Sequence, residues 1–149
     1  MQAALPGVAG VGANKMHEVK TRERLPNLRK SITHTAIFHT ATGRIKFFVT
    51  VGLFDDGRPG ELFITCDQTG STLDGFSDCW AIAISLCLQN GVPLDTIVNK
   101  FSHHEFEPRG MTDNKKIPFA KSVPDYVVRW MATTFTKENT HEESPKQPL

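Results

Sequence analysis

The sequence predicts an α+β domain: an antiparallel three-stranded meander followed by two or three helices packed on one face of the sheet. Three observations carry this reading. Residues 31–66 hold three β-rich runs separated by two turns, each with a glycine. From Phe76 onward the apolar residues recur at helical spacing. Around Ser122 a serine, a proline and an aspartate stand in the order of a helix start. Strands first and helices afterwards is the pattern of an antiparallel sheet with its helices segregated to one face.

The first run, from Ser31 to Phe38, alternates as a half-buried strand does. A regular strand there puts His34 and His39 on opposite faces. Ala41-Thr42-Gly43 reads as a turn and Ile45 to Val51 as a second strand, so the two runs make a hairpin. Asp55-Asp56-Gly57 turns the chain into a third strand, Glu61 to Cys66. Three strands alone leave edges that need pairing or cover, which suggests a homodimer through a sheet edge.

Phe76, Cys79, Trp80, Ala83, Ile84, Cys87 and Leu88 then form an apolar stripe at helical spacing. Ile82 and Leu86 widen it, so this helix is expected to be buried on most sides, with Asp78 and Ser85 as buried polar groups. Asn90-Gly91 ends it with a left-handed cap. A shorter helix follows, with Leu94, Ile97, Val98 and Phe101 on its apolar side, and then a loop over residues 102–120. Ser122 can cap the free N–H groups of a last helix, Pro124 suits its first turn, and Asp125 can reach back to the positive end of the helix dipole. Val127, Trp130, Met131 and Phe135 are its expected buried set, and Trp80 and Trp130 the expected core anchors.

A chain of 149 residues suggests one domain, and 39% hydrophobic residues suffice for a core. Residues 1–21, broken by Pro6, Gly7, Gly10 and Gly12, read as a flexible arm, residues 22–136 as the domain, and residues 137–149 as a disordered polar tail. The apolar start, Ala3 to Ala13, is too short and glycine-rich for a membrane span and lacks the basic flank of a signal peptide. Net charge is +1, which gives no global argument for nucleic acid. Cys66, Cys79 and Cys87 are odd in number and contain no C-x-x-C pair, against a disulfide framework or structural zinc. Cys79 and Cys87 share a helical face and are expected to be buried free thiols, consistent with a reducing cytoplasm.

The candidate phosphate-binding residues are Arg22, Arg24 and Arg29, with Gly70 and Ser71. Six basic residues against two acidic ones lie between Lys15 and Lys30, and guanidinium forks match phosphate geometry. Gly70-Ser71 precedes a helix start, where backbone N–H groups can meet an anion. No lysine follows the glycine as in a P-loop. A solvated basic segment and an ordinary helix cap are the competing readings of these two features. His103, His104 and Glu105 offer metal ligands or acid–base groups, but adjacent side chains on one segment seldom converge on one metal, so a surface or loop role is the reading taken. No catalytic set and no metal site is recognised.

An ordered series of motifs runs from about Arg22 to Met131: Arg22-x-Arg24-Leu25-Pro26-x-x-Arg29, Gly60-Glu61-Leu62-Phe63, Thr69-Gly70-Ser71, Gln89-x-Gly91-Val92-Pro93, Phe106-x-Pro108-x-Gly110 and Ser122-x-Pro124-Asp125-Tyr126. The series resembles the TSCPD domain, found near the C-terminus of cobalamin-dependent ribonucleotide reductases and as small free-standing proteins. Val123 stands where the name-giving motif has cysteine, and the cysteine-rich tail that often follows the domain is missing. So are the reductase's barrel, radical cysteine and cobalamin site. The resemblance implies an accessory or nucleotide-responsive binding module associated with ribonucleotide reduction and deoxyribonucleotide synthesis, not catalytic alone, with cobalamin entering only through a separate reductase. A stand-alone nucleotide-binding or nucleotide-sequestering protein is the alternative. The expected partners are a reductase or a nucleotide, with no membrane, and the lack of an aromatic stacking platform ranks nucleic acid low.

Overall fold

Residues 31–66 form the meander that their alternation requires. In the computed structural model, which describes residues 21–136, β1 (Ser31–Thr40), β2 (Gly43–Leu53) and β3 (Pro59–Cys66) pair antiparallel in sequence order. The expected arm, apart from Thr21, and the expected tail lie outside the described residues. Gly43 and Gly57 take positive φ values of 134° and 87° at the two turns, a backbone conformation that glycine adopts without steric cost. One face of the meander, with Ala36, Phe38, Phe47, Val49, Leu62 and Ile64, is buried.

The sheet has five strands, not three. The segment expected as a loop contains β4 (Gly110–Thr112) and β5 (Phe119–Ala120), and the order is β3-β2-β1-β4-β5. The β1 edge that a homodimer could have used is therefore covered by the chain's own β4. Gly110 makes this pairing feasible, because a side chain there would run into the His39 carbonyl.

Helix α1 (Thr72–Gln89) lies against β3, and α2 (Leu94–Phe101) against α3 (Val123–Phe135). The three helices and the covered sheet face share one core. The buried side of α1 is Ser77, Ala81, Ile84, Leu88 and Gln89. That corrects the expected stripe: Phe76, Cys79 and Ala83 are exposed, and Trp80 and Cys87 are half-buried. The buried thiol is Cys66, not Cys79 or Cys87. Asp78 is exposed as well, while Ser85 is half-buried and bonded to Leu62 and Ala81. At the C-terminal end, Gly91 has a φ of 85° and Val92 N–H donates to Cys87 O, the expected left-handed cap.

The start of α3 is a lock. Ser122 Oγ accepts from Asp125 N–H at 3.2 Å and donates to His104 O at 2.6 Å. The Asp125 carboxylate, 0% exposed, accepts from His103 N–H at 2.7 Å, Lys121 N–H at 3.0 Å and Arg129 at 3.2 Å. One buried side chain thus ties the loop after α2, the residue after β5 and α3 together. Ser122→Ala should cost about 0.5–2 kcal/mol through the lost cap. Asp125→Ala should cost roughly 2–4 kcal/mol, because two N–H groups lose their acceptor. Urea denaturation of the two variants checks the order; equal stabilities would contradict it.

Candidate functional site

The sequence-derived phosphate residues fall into two groups that the fold keeps apart. Arg22 donates to Gln89 Oε1 at 2.6 Å and Glu23 N–H to Gln89 O at 2.9 Å, both at the C-terminal end of α1. Ser71 caps the other end of α1. A helix rise of 1.5 Å per residue puts these ends about 27 Å apart. Arg22 and Gly70-Ser71 therefore cannot hold one small ligand within one chain. Arg29 is engaged with Glu61 of β3 and with the Pro26 carbonyl, while Arg24 is exposed with no ion-pair partner among the described residues. At the other end, Gly70 N–H donates to Asp74 Oδ2 at 3.1 Å and Cys66 N–H to Oδ1 at 3.0 Å. These N–H groups, that of Cys66 first, hold the Asp74 carboxyl below the usual carboxylate range. The donors of that loop already face an anion, and it belongs to the chain.

A different constellation lies where β1, the β4–β5 turn and α3 meet. A cavity of about 580 Å³ is lined there by His34, Thr35, Ile37, Asn114, Lys115, Lys116, Tyr126 and Trp130, with Asp113 on its wall. Alternation along β1 turns His34 to the same face as buried Ala36 and Phe38. Its ring stacks on Trp130 at 4.9 Å and 11° between planes. The polar contacts have a direction. Lys116 N–H donates to Asn114 Oδ1, which fixes that amide with its Nδ2 donating to Tyr126 Oη at 3.1 Å. The network is fully used when the phenol donates to His34 Nε2, 2.7 Å away, and the imidazole proton is assigned to Nδ1 on that ground. Burial pushes the Tyr126 phenol up and His34 down, so both are neutral at pH 7. No hydrogen bond to His34 Nδ1 occurs among the described residues. Asp113 is held from outside by His39, at 2.6 Å.

The second unusual surface is on α1. Its buried side is opposed by an outer side of Phe76 (74% exposed), Cys79, Ile82, Ala83 and Leu86. At the N-terminal end of this stripe Phe76 stands beside Phe106, half exposed. Between them an apolar cavity of about 250 Å³ is lined by Leu73, Trp80, Val123 and Pro124. The Trp80 indole Nε1 is buried without a hydrogen-bond partner among the described residues.

Against known families, the TSCPD domain model matches residues 18–135, the arm's last residues and nearly all of the described fold. The chain belongs to the TSCPD domain family. Similar proteins include the vitamin B12-dependent ribonucleotide reductases of Rhodopirellula baltica, 50% identical over 123 residues covering 83% of this chain and 11% of the relative, and of Streptomyces avermitilis, 41% identical over 114 residues covering 76% and 11%. That of Bradyrhizobium diazoefficiens is 41% identical over 118 residues, covering 78% of this chain and 9% of the relative. The chain thus spans about a tenth of the length of these curated relatives. No solved structure shows a significant match.

In this TSCPD domain the signature residues Ser122 and Asp125 are engaged with the chain's own backbone. Val123, between them, is 3% exposed and lines the apolar cavity beside Phe76. Among the described residues no cluster of three or more potential metal ligands occurs, and no helix is long and apolar enough to cross a membrane. The His34 cavity was missed from sequence because its residues come from two stretches of the chain, 34–37 and 113–134. The inward phase of β1 was a signal for His34 alone.

The depressed His34 pKa sets a pH dependence. Its neutral form is favoured in the fold relative to the ordinary value of 6.5. The associated stability is complete above that value and is lost as pH falls through the lower folded value. Protonation also removes the acceptor of the Tyr126 hydroxyl. Urea midpoints should fall between pH 7 and pH 5, and less steeply for His34→Gln; parallel pH profiles of the two proteins would contradict the assignment.

Proposed function

We propose that this TSCPD domain is an accessory, nucleotide-responsive binding module of ribonucleotide reduction, which docks on a ribonucleotide reductase and does not carry out the reduction itself. The observation that carries the reading is the second apolar side of α1. A helix apolar on two opposite sides is normally buried on both, and here the core covers one. In the relatives, the same domain is about a tenth of a much longer reductase chain, so a large protein body stands beside it. Phe76 and Phe106, flanking a cavity, have the form of an aromatic anchor site at an interface.

Thiol placement supports an accessory role. Ribonucleotide reduction needs a radical thiol and a dithiol as electron donor. Cys66 is buried, and desolvation first, with the nearby carboxylates, raises its pKa. Cys79 and Cys87 lie about 12 Å apart along α1, beyond the Cα separation a disulfide tolerates. A protein that only sequestered nucleotides would have no use for the α1 surface.

The test is binding of the purified chain to a purified vitamin B12-dependent ribonucleotide reductase from which the homologous domain has been removed. The chain should co-elute with it, and Phe76→Ser with Leu86→Ser should weaken binding at least about tenfold, as loss of an interface anchor does. Undiminished binding by the double variant would overturn the reading. So would self-association of the chain that the same variant abolishes, because a second copy would then be the occupant of this surface.

A further inference from the structure

We propose that the cavity between β1, the β4–β5 turn and α3 is a binding site for a small phosphate-bearing molecule of the nucleotide class, with the phosphate held by Lys115 and Lys116 and a ligand acceptor atom by His34 Nδ1–H. The proposal rests on the accessory-module reading for the ligand being a nucleotide, and not for the partner. It differs from a site shared by the arginines of the entry segment with Gly70 and Ser71, from which the length of α1 separates Arg22.

Three features converge on this chemistry. The first is charge. Lys115 and Lys116 are exposed, adjacent, and without an ion-pair partner among the described residues. The one carboxylate on the wall among the described residues, Asp113, is hydrogen-bonded to His39, and the two ammonium groups outnumber it. Two adjacent ammonium groups can converge on the oxygens that a phosphate monoester carries on one atom, which the separated carboxylates of a dicarboxylate do not offer. The second is donor polarity. The chain of contacts from Lys116 N–H through Asn114 and Tyr126 leaves His34, which lines the cavity, with a donor and not an acceptor at its second ring nitrogen. A neutral His34 keeps that donor without adding a charge that would depend on pH near 7; the other titratable groups facing it are Tyr126 from α3 and Asp113, Lys115 and Lys116 from the turn. The third is size and walls. At about 580 Å³ the cavity is in the range of small-molecule sites. Ile37 and Trp130 give it apolar surface for the organic part of a ligand.

The site is also built rather than incidental. His34 is clamped between a ring stack and a hydrogen bond, and the Asn114 amide is fixed at both ends. Such fixed donors lose little freedom when a ligand arrives.

Isothermal titration calorimetry at low ionic strength, with deoxyadenosine triphosphate, adenosine monophosphate, inorganic phosphate and succinate as probes, tests this. The two nucleotides should bind, and succinate should bind far more weakly. Lys115→Ala with Lys116→Ala, at exposed positions that leave the fold intact, should lower nucleotide affinity at least about tenfold. Arg22→Ala with Arg24→Ala should leave it unchanged. In ¹⁵N spectra the His34 Nδ1 resonance should move on titration, a readout that a purely structural histidine would not give. Loss of affinity with the arginine pair but not the lysine pair would overturn the proposal. Equal binding of succinate would do the same, as would no nucleotide binding up to about 10 mM, an energy below roughly 3 kcal/mol. The reductase-docking variants leave this titration untouched, so the two readings fail separately.

Discussion

The buried carboxylate of Asp125 is the interaction on which the arrangement of this domain depends. A fully buried anion is unfavourable unless donors replace its water. Here two backbone N–H groups and the Arg129 guanidinium do so, while the aspartate's own N–H is taken up by Ser122. His103, one of the donors, has a φ of 66°, a conformation that non-glycine residues hold only where surroundings over-determine it. The Asp125 bond to the His103 N–H and the Ser122 bond to the His104 carbonyl supply that constraint at the two ends of this dipeptide.

Both surfaces to which function is assigned are built outward from this lock. Tyr126 follows Asp125 directly, and its fixed hydroxyl orders Asn114 and His34 around the cavity. Lys121, held by Asp125, accepts from Phe106 N–H at 3.1 Å, which sets the Phe106 ring beside Phe76. Val123 and Pro124, the residues between Ser122 and Asp125, line the floor of the apolar cavity. The signature stretch is thus architecture, and chemistry belongs to the residues it positions.

What was legible in the sequence was local. The hairpin turns are written in Gly43 and Gly57, and the α3 cap in Ser122, because each needs only its neighbours. β4 and β5 were not legible: three and two residues are too few to show a period. Their pairing also depends on Gly110 meeting a backbone some 70 positions earlier. The buried side of α1 was misjudged for a related reason. With Phe76, Cys79, Ile82 and Leu86 on one side and Ala81, Ile84 and Leu88 on the other, the helix is apolar nearly all round, and periodicity cannot say which side meets the sheet. Arg22 and Ser71 looked like parts of one site because nothing in the sequence reports that Arg22 packs on Gln89, at the far end of the 18-residue helix that Ser71 starts.

Amide hydrogen exchange of His103 and Lys121 is the most direct measure of the lock. Both lie in non-helical connections, where amides ordinarily exchange fast. If Asp125 organises the domain, both should be protected nearly as strongly as the β1–β2 core and should open with it, in global unfolding. Exchange of either amide at the rate of an open loop would mean that the Asp125 contacts are transient and that the cavity and the apolar surface owe their geometry to something else.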